Sequence, residues 1–296
     1  MSRPLADVPR NGADVPRSGI VTGAAGGLGR ALAVRLARDG WRLALADLDE
    51  AGLTETLLLV QNAGGQGHCE LLDVTNAVAW EQLRDRLQSR WPRLDLLVNN
   101  AGVCGAGAVG EFPLDDWQWI LDTNLNGPIY GCHAMVPWLV EGQGQLASPC
   151  YVLNIASVAG LVSPPTMGAY NVAKAGLIAL SETLFHELHP RGLGVTVACP
   201  GFFQSQLIPC GRFSSEQTRR RAEEFSATAR LSADGVADRA VRAMYRRKLY
   251  VVDGLRARLL WRLKRFLPGL FHRLLSASIE CTPVGYAEHT SAERPK

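Results

Sequence analysis

Short apolar runs alternate with helical repeats along most of this chain, and that rhythm restricts the folds open to it. Gly19-Ile20-Val21-Thr22 is the first run, and strand-like segments follow at 42–46, 67–72, 94–98, 150–155, 193–198 and 249–252. Between them, apolar residues recur at three and four positions over 28–38 and near 49–62, 76–90, 115–140, 168–188 and 234–247, the spacing of helices. Strands separated by helices of these lengths join through right-handed crossovers into a parallel sheet covered on both faces. The expectation is a single doubly wound, Rossmann-like α/β domain over 19–252. At 296 residues, with 47% apolar and 20% charged, the chain can bury a core without disulfide staples.

Two segments break the rhythm. Residues 201–231 follow a strand and mix apolar side chains with Arg219-Arg220-Arg221. An insertion beyond the carboxyl end of a strand is placed to cover a pocket, although a surface excursion that merely packs would read the same way. Residues 253–296 form a basic, amphipathic C-terminal extension. In 254–275 leucines and phenylalanines recur at three and four positions among arginines, and ten basic residues face one acid between Arg242 and Arg273. Pro268-Gly269 should break this stretch into two helices. Its apolar stripe can pack on the domain or across a homodimer, lie on an anionic membrane surface, or dock on another partner.

The N-terminal stretch 1–18, with its duplicated Asp7-Val8-Pro9-Arg10 and Asp14-Val15-Pro16-Arg17, is expected to be a flexible extension. It has no apolar run of the secretory kind, and no apolar stretch is long enough to span a membrane. Seven widely spaced cysteines without a CxxC pair point to reduced thiols and a cytoplasmic setting, with attachment at a membrane surface open. The net charge of +3, with the basic cluster covering only one short region and no recognition motif, argues against nucleic-acid binding.

The turn Thr22-Gly23-Ala24-Ala25-Gly26-Gly27-Leu28-Gly29 lies where the first strand meets the first helix. Glycines permit a tight backbone turn, and the helix start offers free N–H groups to a pyrophosphate. Asp47 closes the second strand, 24 residues after Gly23. A carboxylate there can accept both adenosine ribose hydroxyls and would repel a 2′-phosphate, so NAD is expected in preference to NADP. Arg30 and Arg42 are the cations that could instead approach a phosphate, and Asp47 could equally cap the next helix.

These residues resemble the short-chain dehydrogenase/reductase family. Thr22 to Gly29 is similar to the family's glycine turn, and Asn99-Asn100-Ala101-Gly102 to its motif after the fourth strand. Asn124, Ser157 and Tyr170-Asn171-Val172-Ala173-Lys174 match its catalytic positions, with the tyrosine thirteen residues after the serine. The resemblance covers 19 to about 252. It implies that Asp73 and Val74 lie against the adenine, and that Asn100, Ala101, Gly102, Pro200, Gly201, Phe203 and Ser205 border the dinucleotide, Ser205 standing where a threonine is usual. It also implies a homodimer or homotetramer built through the helices near 115–140 and 168–188.

Tyr170 and Lys174 are four apart and share a helix face, so the ammonium can stabilise a phenolate and make Tyr170 a proton acceptor. Ser157, at a strand end, can hold the substrate oxygen or simply cap a helix. By resemblance, Lys174 also holds the nicotinamide ribose, and Asn124 fixes a water linking Lys174 to solvent. Hydride would pass between substrate and nicotinamide, without a metal. Val103, Met167, Phe202 and Leu207, with Ser157 and Tyr170, are the expected substrate contacts. Their apolar character favours a lipophilic secondary alcohol or ketone. The competing class is a nucleotide-binding or scaffold protein of the same fold without turnover.

Overall fold

Strand and helix alternate as β1 (Ser18–Thr22), α1 (Gly27–Ala37), β2 (Arg42–Asp47), α2 (Glu50–Asn62), β3 (Gln66–Leu71), α3 (Ala77–Gln88) and β4 (Leu96–Asn99). The second half runs β5 (Gly105–Ala106), α4 (Leu114–Leu121), α5 (Gly127–Gln143), β6 (Tyr151–Ile155), α6 (Val158–Val162), α7 (Gly168–Leu188) and β7 (Gly194–Cys199). It closes with β8 (Arg212–Phe213), α8 (Glu216–Ala227), α9 (Ala233–Tyr245), β9 (Tyr250–Val252), α10 (Leu255–Phe266) and α11 (Pro268–Glu280). The computed structural model describes residues 16–143, 149–201, 203, 207–227, 229 and 231–280.

Seven strands form one parallel sheet in the order β3-β2-β1-β4-β6-β7-β9. The order reverses between β1 and β4, which pair Val21 with Val98. At such a switch the connections leave in opposite directions and open a crevice beyond the carboxyl ends. Every residue of β1, β6 and β7 is buried, because helices cover both faces and leave no side for polar alternation. Leu32, Leu36, Leu53, Val236 and Met244 pack on one face, and Trp80, Leu83, Met135, Leu139 and Leu184 on the other. Burying each such side chain stabilises the fold by about 1.5–3 kcal/mol.

Four features depart from the sequence reading. The helix expected over 115–140 is two helices joined by a π-helical turn at Asp122–Asn126, whose extra residue the apolar spacing does not reveal. Within 201–231, β8 pairs in parallel with β5, placing Gly105 beside Arg212 and Ala106 beside Phe213. This ties the insertion to the chain that follows β4. Arg17 and Ser18, assigned to a flexible extension, belong to the fold: Ser18 opens β1, and Arg17 lies 4.6 Å over the Trp41 ring and donates to the Asp39 carbonyl. The duplication up to residue 15 lies outside the described residues.

The fourth departure is the tail. It breaks at Pro268 as expected, but its apolar stripe does not pack on the domain. Leu255, Leu259, Phe266, Leu267, Leu270 and Leu274 are exposed, Phe266 at 75%. Trp261 instead turns inward, its ring tilted against Tyr250 at 5.1 Å, and Lys264 Nζ donates to the Leu161 carbonyl at 2.8 Å. Phe271 is the α11 side chain buried most deeply among the described residues. No described helix is long and apolar enough to cross a membrane.

Candidate active site

The glycine turn between β1 and α1 lies in the crevice. Gly23 and Gly27 have φ of +64° and +51°, in the left-handed region that favours glycine. A Cβ on Gly29 would stand 1.8 Å from the Gly23 carbonyl oxygen, whereas one on Gly26 or Gly27 would meet nothing within 4 Å. The turn is therefore closed beneath and open outside. Gly26 caps α1 without a side-chain hydrogen bond, and the first turn carries no acid. The N–H groups of that turn, around Gly27 and the buried Leu28, keep their capacity for an anion. A dinucleotide pyrophosphate fits this cradle.

Thr22, Asn100 and Ala101 hold the turn from behind. Thr22 Oγ1 accepts from the amides of Asn100 (2.9 Å) and Ala101 (3.0 Å) and donates to the Val98 carbonyl. Asn100 Nδ2 donates to the carbonyls of Thr22 (2.8 Å) and Gly23 (3.2 Å). The Thr22 and Asn100 side chains brace β1 against β4 behind the cradle.

Asp47 ends β2 beside the same turn. Its Oδ2 accepts from the Ala25 amide at 3.0 Å, and Oδ1 from the amides of Leu48 and Asp49. The cap of α2 is Asp49, not Asp47, through Gly52 N–H at 3.0 Å. Arg30 bridges the glycine turn and α2, donating to the Ala25 carbonyl as well as to Thr56 and Glu55. Arg42 begins β2, at the other end of the strand, stacked 5.0 Å over Trp91. Neither arginine is held at the carboxylate. Asp73 is exposed and bonded to Thr75, and Val74 packs beneath Gly127. Pro200 accepts from the Val158 amide at 3.0 Å, and Gly201 follows it in the crevice-side loop. Phe203 packs toward the face lined by α1 and α9, beside Leu231. Ser205 and Phe202 lie outside the described residues.

β6 and α7 bring three reactive side chains together. Ser157 follows β6 and caps α6, its Oγ accepting from the Ala159 amide at 3.1 Å. The Tyr170 hydroxyl lies near enough to the Ser157 side chain for the two to influence each other, so Ser157 can cap α6 and still face the active site. Lys174 Nζ donates to the Ile155 carbonyl at 2.9 Å and stands 5.8 Å from the Tyr170 ring centroid. The π turn sets Asn124 inward: Oδ1 accepts from the Val103 amide at 2.9 Å and Nδ2 donates to its carbonyl at 2.7 Å. A Cβ on Gly102 would meet Asn124 Oδ1 at 2.8 Å and Lys174 Nζ at 3.5 Å. The absent side chain thus lets the loop after β4 approach both.

Burial sets the electrostatics of the pair. Burial pushes the Tyr170 phenol above its ordinary value; the Cys104 sulfur adds to that, and the Ser157 hydrogen bond opposes it. Burial also lowers the Lys174 ammonium from 10.5 to about 8, against the opposing influence of Cys199. Desolvation dominates at both groups, since each charged form loses water on entering the crevice. Lys174 remains a cation at neutral pH.

An apolar wall surrounds Tyr170. Val103, Met167 and Leu207 pack there as expected, joined by Trp117, Trp119 and Phe213. Cys104, which the sequence reading missed, lies in the same cluster and donates to the Leu207 carbonyl at 2.9 Å. Its place two residues after Gly102, on the loop that meets β8, is the signal that could have singled it out. The loop into α7 carries two non-glycine residues at positive φ, Ser163 (53°) and Thr166 (63°), and the Gly107 amide donates to the Thr166 carbonyl.

Comparison with known proteins agrees with this geometry. A sequence model described as short chain dehydrogenase matches residues 18–209. A protein of Lactiplantibacillus plantarum named CLA biosynthesis dehydrogenase/reductase is 31% identical over 63% of this chain and 65% of its own length. The probable oxidoreductase EphD of Mycobacterium tuberculosis is 31% identical over 84% of this chain, which spans only 43% of that relative. The crystal structure of a short chain dehydrogenase/reductase from Burkholderia phymatum in complex with NAD superposes with a TM-score of 0.78. It is 29% identical, covering 86% of this chain and 95% of that one.

Proposed function

This chain belongs to the short-chain dehydrogenase family, and on that premise we propose that it is an NAD-dependent oxidoreductase acting on a lipophilic secondary alcohol or ketone. The observation carrying this reading is the gathering of Tyr170, Ser157 and Lys174 at the carboxyl end of β6, in the crevice that also holds the glycine cradle. Bound nicotinamide dinucleotide would supply the hydride acceptor or donor.

The chain supplies the rest. Ser157 holds the substrate oxygen and supports charge developing on it. Tyr170 takes the hydroxyl proton in oxidation and returns it in reduction. Lys174, charged at neutral pH, stabilises the phenolate as the proton leaves and holds the nicotinamide ribose. Asn124, clamped on Val103, keeps the loop after β4 against Lys174 and leaves its main chain to hold a water. Asp47 receives the adenosine ribose hydroxyls and would repel a 2′-phosphate, while Arg30 is engaged by Glu55, which supports NAD over NADP. The wall of Val103, Met167 and Leu207 with two tryptophans supports a lipophilic substrate. Assembly as a homodimer or homotetramer through α5 and α7, in the cytoplasm, completes the reading.

Tyr170→Phe tests it. The variant should fold and bind NAD as the parent does while losing turnover by at least about a hundredfold, the scale of a removed general base. Parental turnover in a folded, NAD-bound variant would refute the proton path. Tight NAD binding by the parent without turnover across hydrophobic alcohols and ketones would favour a nucleotide-binding protein instead.

A further inference from the structure

The tail helices present an unusual division of faces. On α10, Leu255, Leu259 and Phe266 recur at helical spacing and are exposed. The inward face carries Trp261, packed against Tyr250, and Lys264, bonded to the Leu161 carbonyl and Ser163 Oγ. A cation is thus turned toward the domain while leucines face water, the reverse of a helix held by its hydrophobic stripe. On α11, Phe271 is buried and Leu270 and Leu274 continue the exposed apolar surface. Such a contiguous patch marks an interaction surface.

The charges around the patch choose its occupant. Arg256, Arg258, Arg262, Arg265 and Arg273 are exposed along the same two helices, and no acid occurs between Gly254 and Ile279. A second copy packed about a two-fold axis would place this patch against itself and oppose five arginines with five. A polyanionic surface with an apolar layer beneath satisfies both components: headgroups pair with arginines while leucines and Phe266 enter the acyl boundary. We infer that α10 and α11 form a docking platform for an anionic lipid bilayer. The platform is joined to the active-site wall, because Lys264 holds α6, the helix Ser157 caps, and Ser163 at the start of the loop into α7. Docking therefore sets the apolar wall close to lipid, an inference independent of the catalytic reading.

The test is cosedimentation of the full chain with vesicles of phosphatidylcholine alone and with about one-third phosphatidylglycerol, with light scattering of each protein free of lipid. The parent should bind the anionic vesicles, and added salt should weaken that binding. Leu259→Glu with Phe266→Glu should reduce it at least tenfold. Arg258→Gln with Arg262→Gln, which leaves the apolar stripe intact, should reduce it by about fivefold per arginine. Circular dichroism matching the parent identifies folded variants. Absence of parental binding, or equal binding to both vesicle types, would overturn the inference. So would vesicle binding unchanged in both variants, or a Leu259→Glu, Phe266→Glu protein that keeps vesicle binding and loses oligomeric mass, which assigns the stripe to a second copy.

Discussion

The four-residue spacing of Tyr170 and Lys174 is legible because helical periodicity alone puts two side chains on one face. Their electrostatics are not, because desolvation depends on what the rest of the chain packs above them. Folding lowers the Lys174 pKa to about 8, so the residue destabilises the fold while it is charged. That cost is complete below about pH 8 and vanishes as pH rises through the unfolded value of 10.5. Relative to Lys174→Met, the cofactor-free parent should gain stability as pH rises through that window, by roughly 3 kcal/mol for the full shift. Urea midpoints measured from neutral to alkaline pH check this, and parallel curves would contradict it. Asp47 was likewise legible, as an acid at a strand end, but the sequence left open whether it caps α2, a place the structure gives to Asp49. Asp47→Ala should weaken NAD at least about tenfold, the loss expected for hydrogen bonds to a charged acceptor, while NADP affinity falls less. Titration calorimetry with both dinucleotides reads the ratio directly.

Among the elements, the glycine turn shows how closely local backbone sets the site. A methyl group at Gly29 would overlap the Gly23 carbonyl, so Gly29→Ala must displace α1 from the turn. The variant should lose about 1–3 kcal/mol of stability and at least about tenfold in NAD affinity, as thermal unfolding and calorimetry would report. Parental values for both would mean that the cradle tolerates a Cβ and is not the binding surface. Strand runs and helical repeats announced the sheet because their periods are local. The pairing of β5 with β8 left no such trace: each has two residues, too few for a period, and they meet across a long separation. The π turn was hidden for a related reason, since one inserted residue shifts a helical repeat without abolishing it. Yet that turn directs Asn124 toward Val103.

Over the whole molecule, the sheet order brings together groups from β1, β2, β4, β6 and α7 that are scattered in sequence. The doubly wound topology was legible from alternation, and the place of the crevice followed from it. The orientation of the tail was not, because an amphipathic pattern defines two faces without saying which one turns inward. Trp261 and Lys264 took the inner face by meeting Tyr250 and the end of α6. The central claim is that this assembly sets a substrate carbon against a nicotinamide, and isotope transfer tests it most directly. Hydrophobic ketones would be incubated with NADH carrying deuterium at the transferable nicotinamide position, and the alcohols analysed by mass spectrometry. The account predicts one deuterium at the carbinol carbon; unlabelled alcohol, or tight NADH binding with no transfer to any ketone tried, would contradict it.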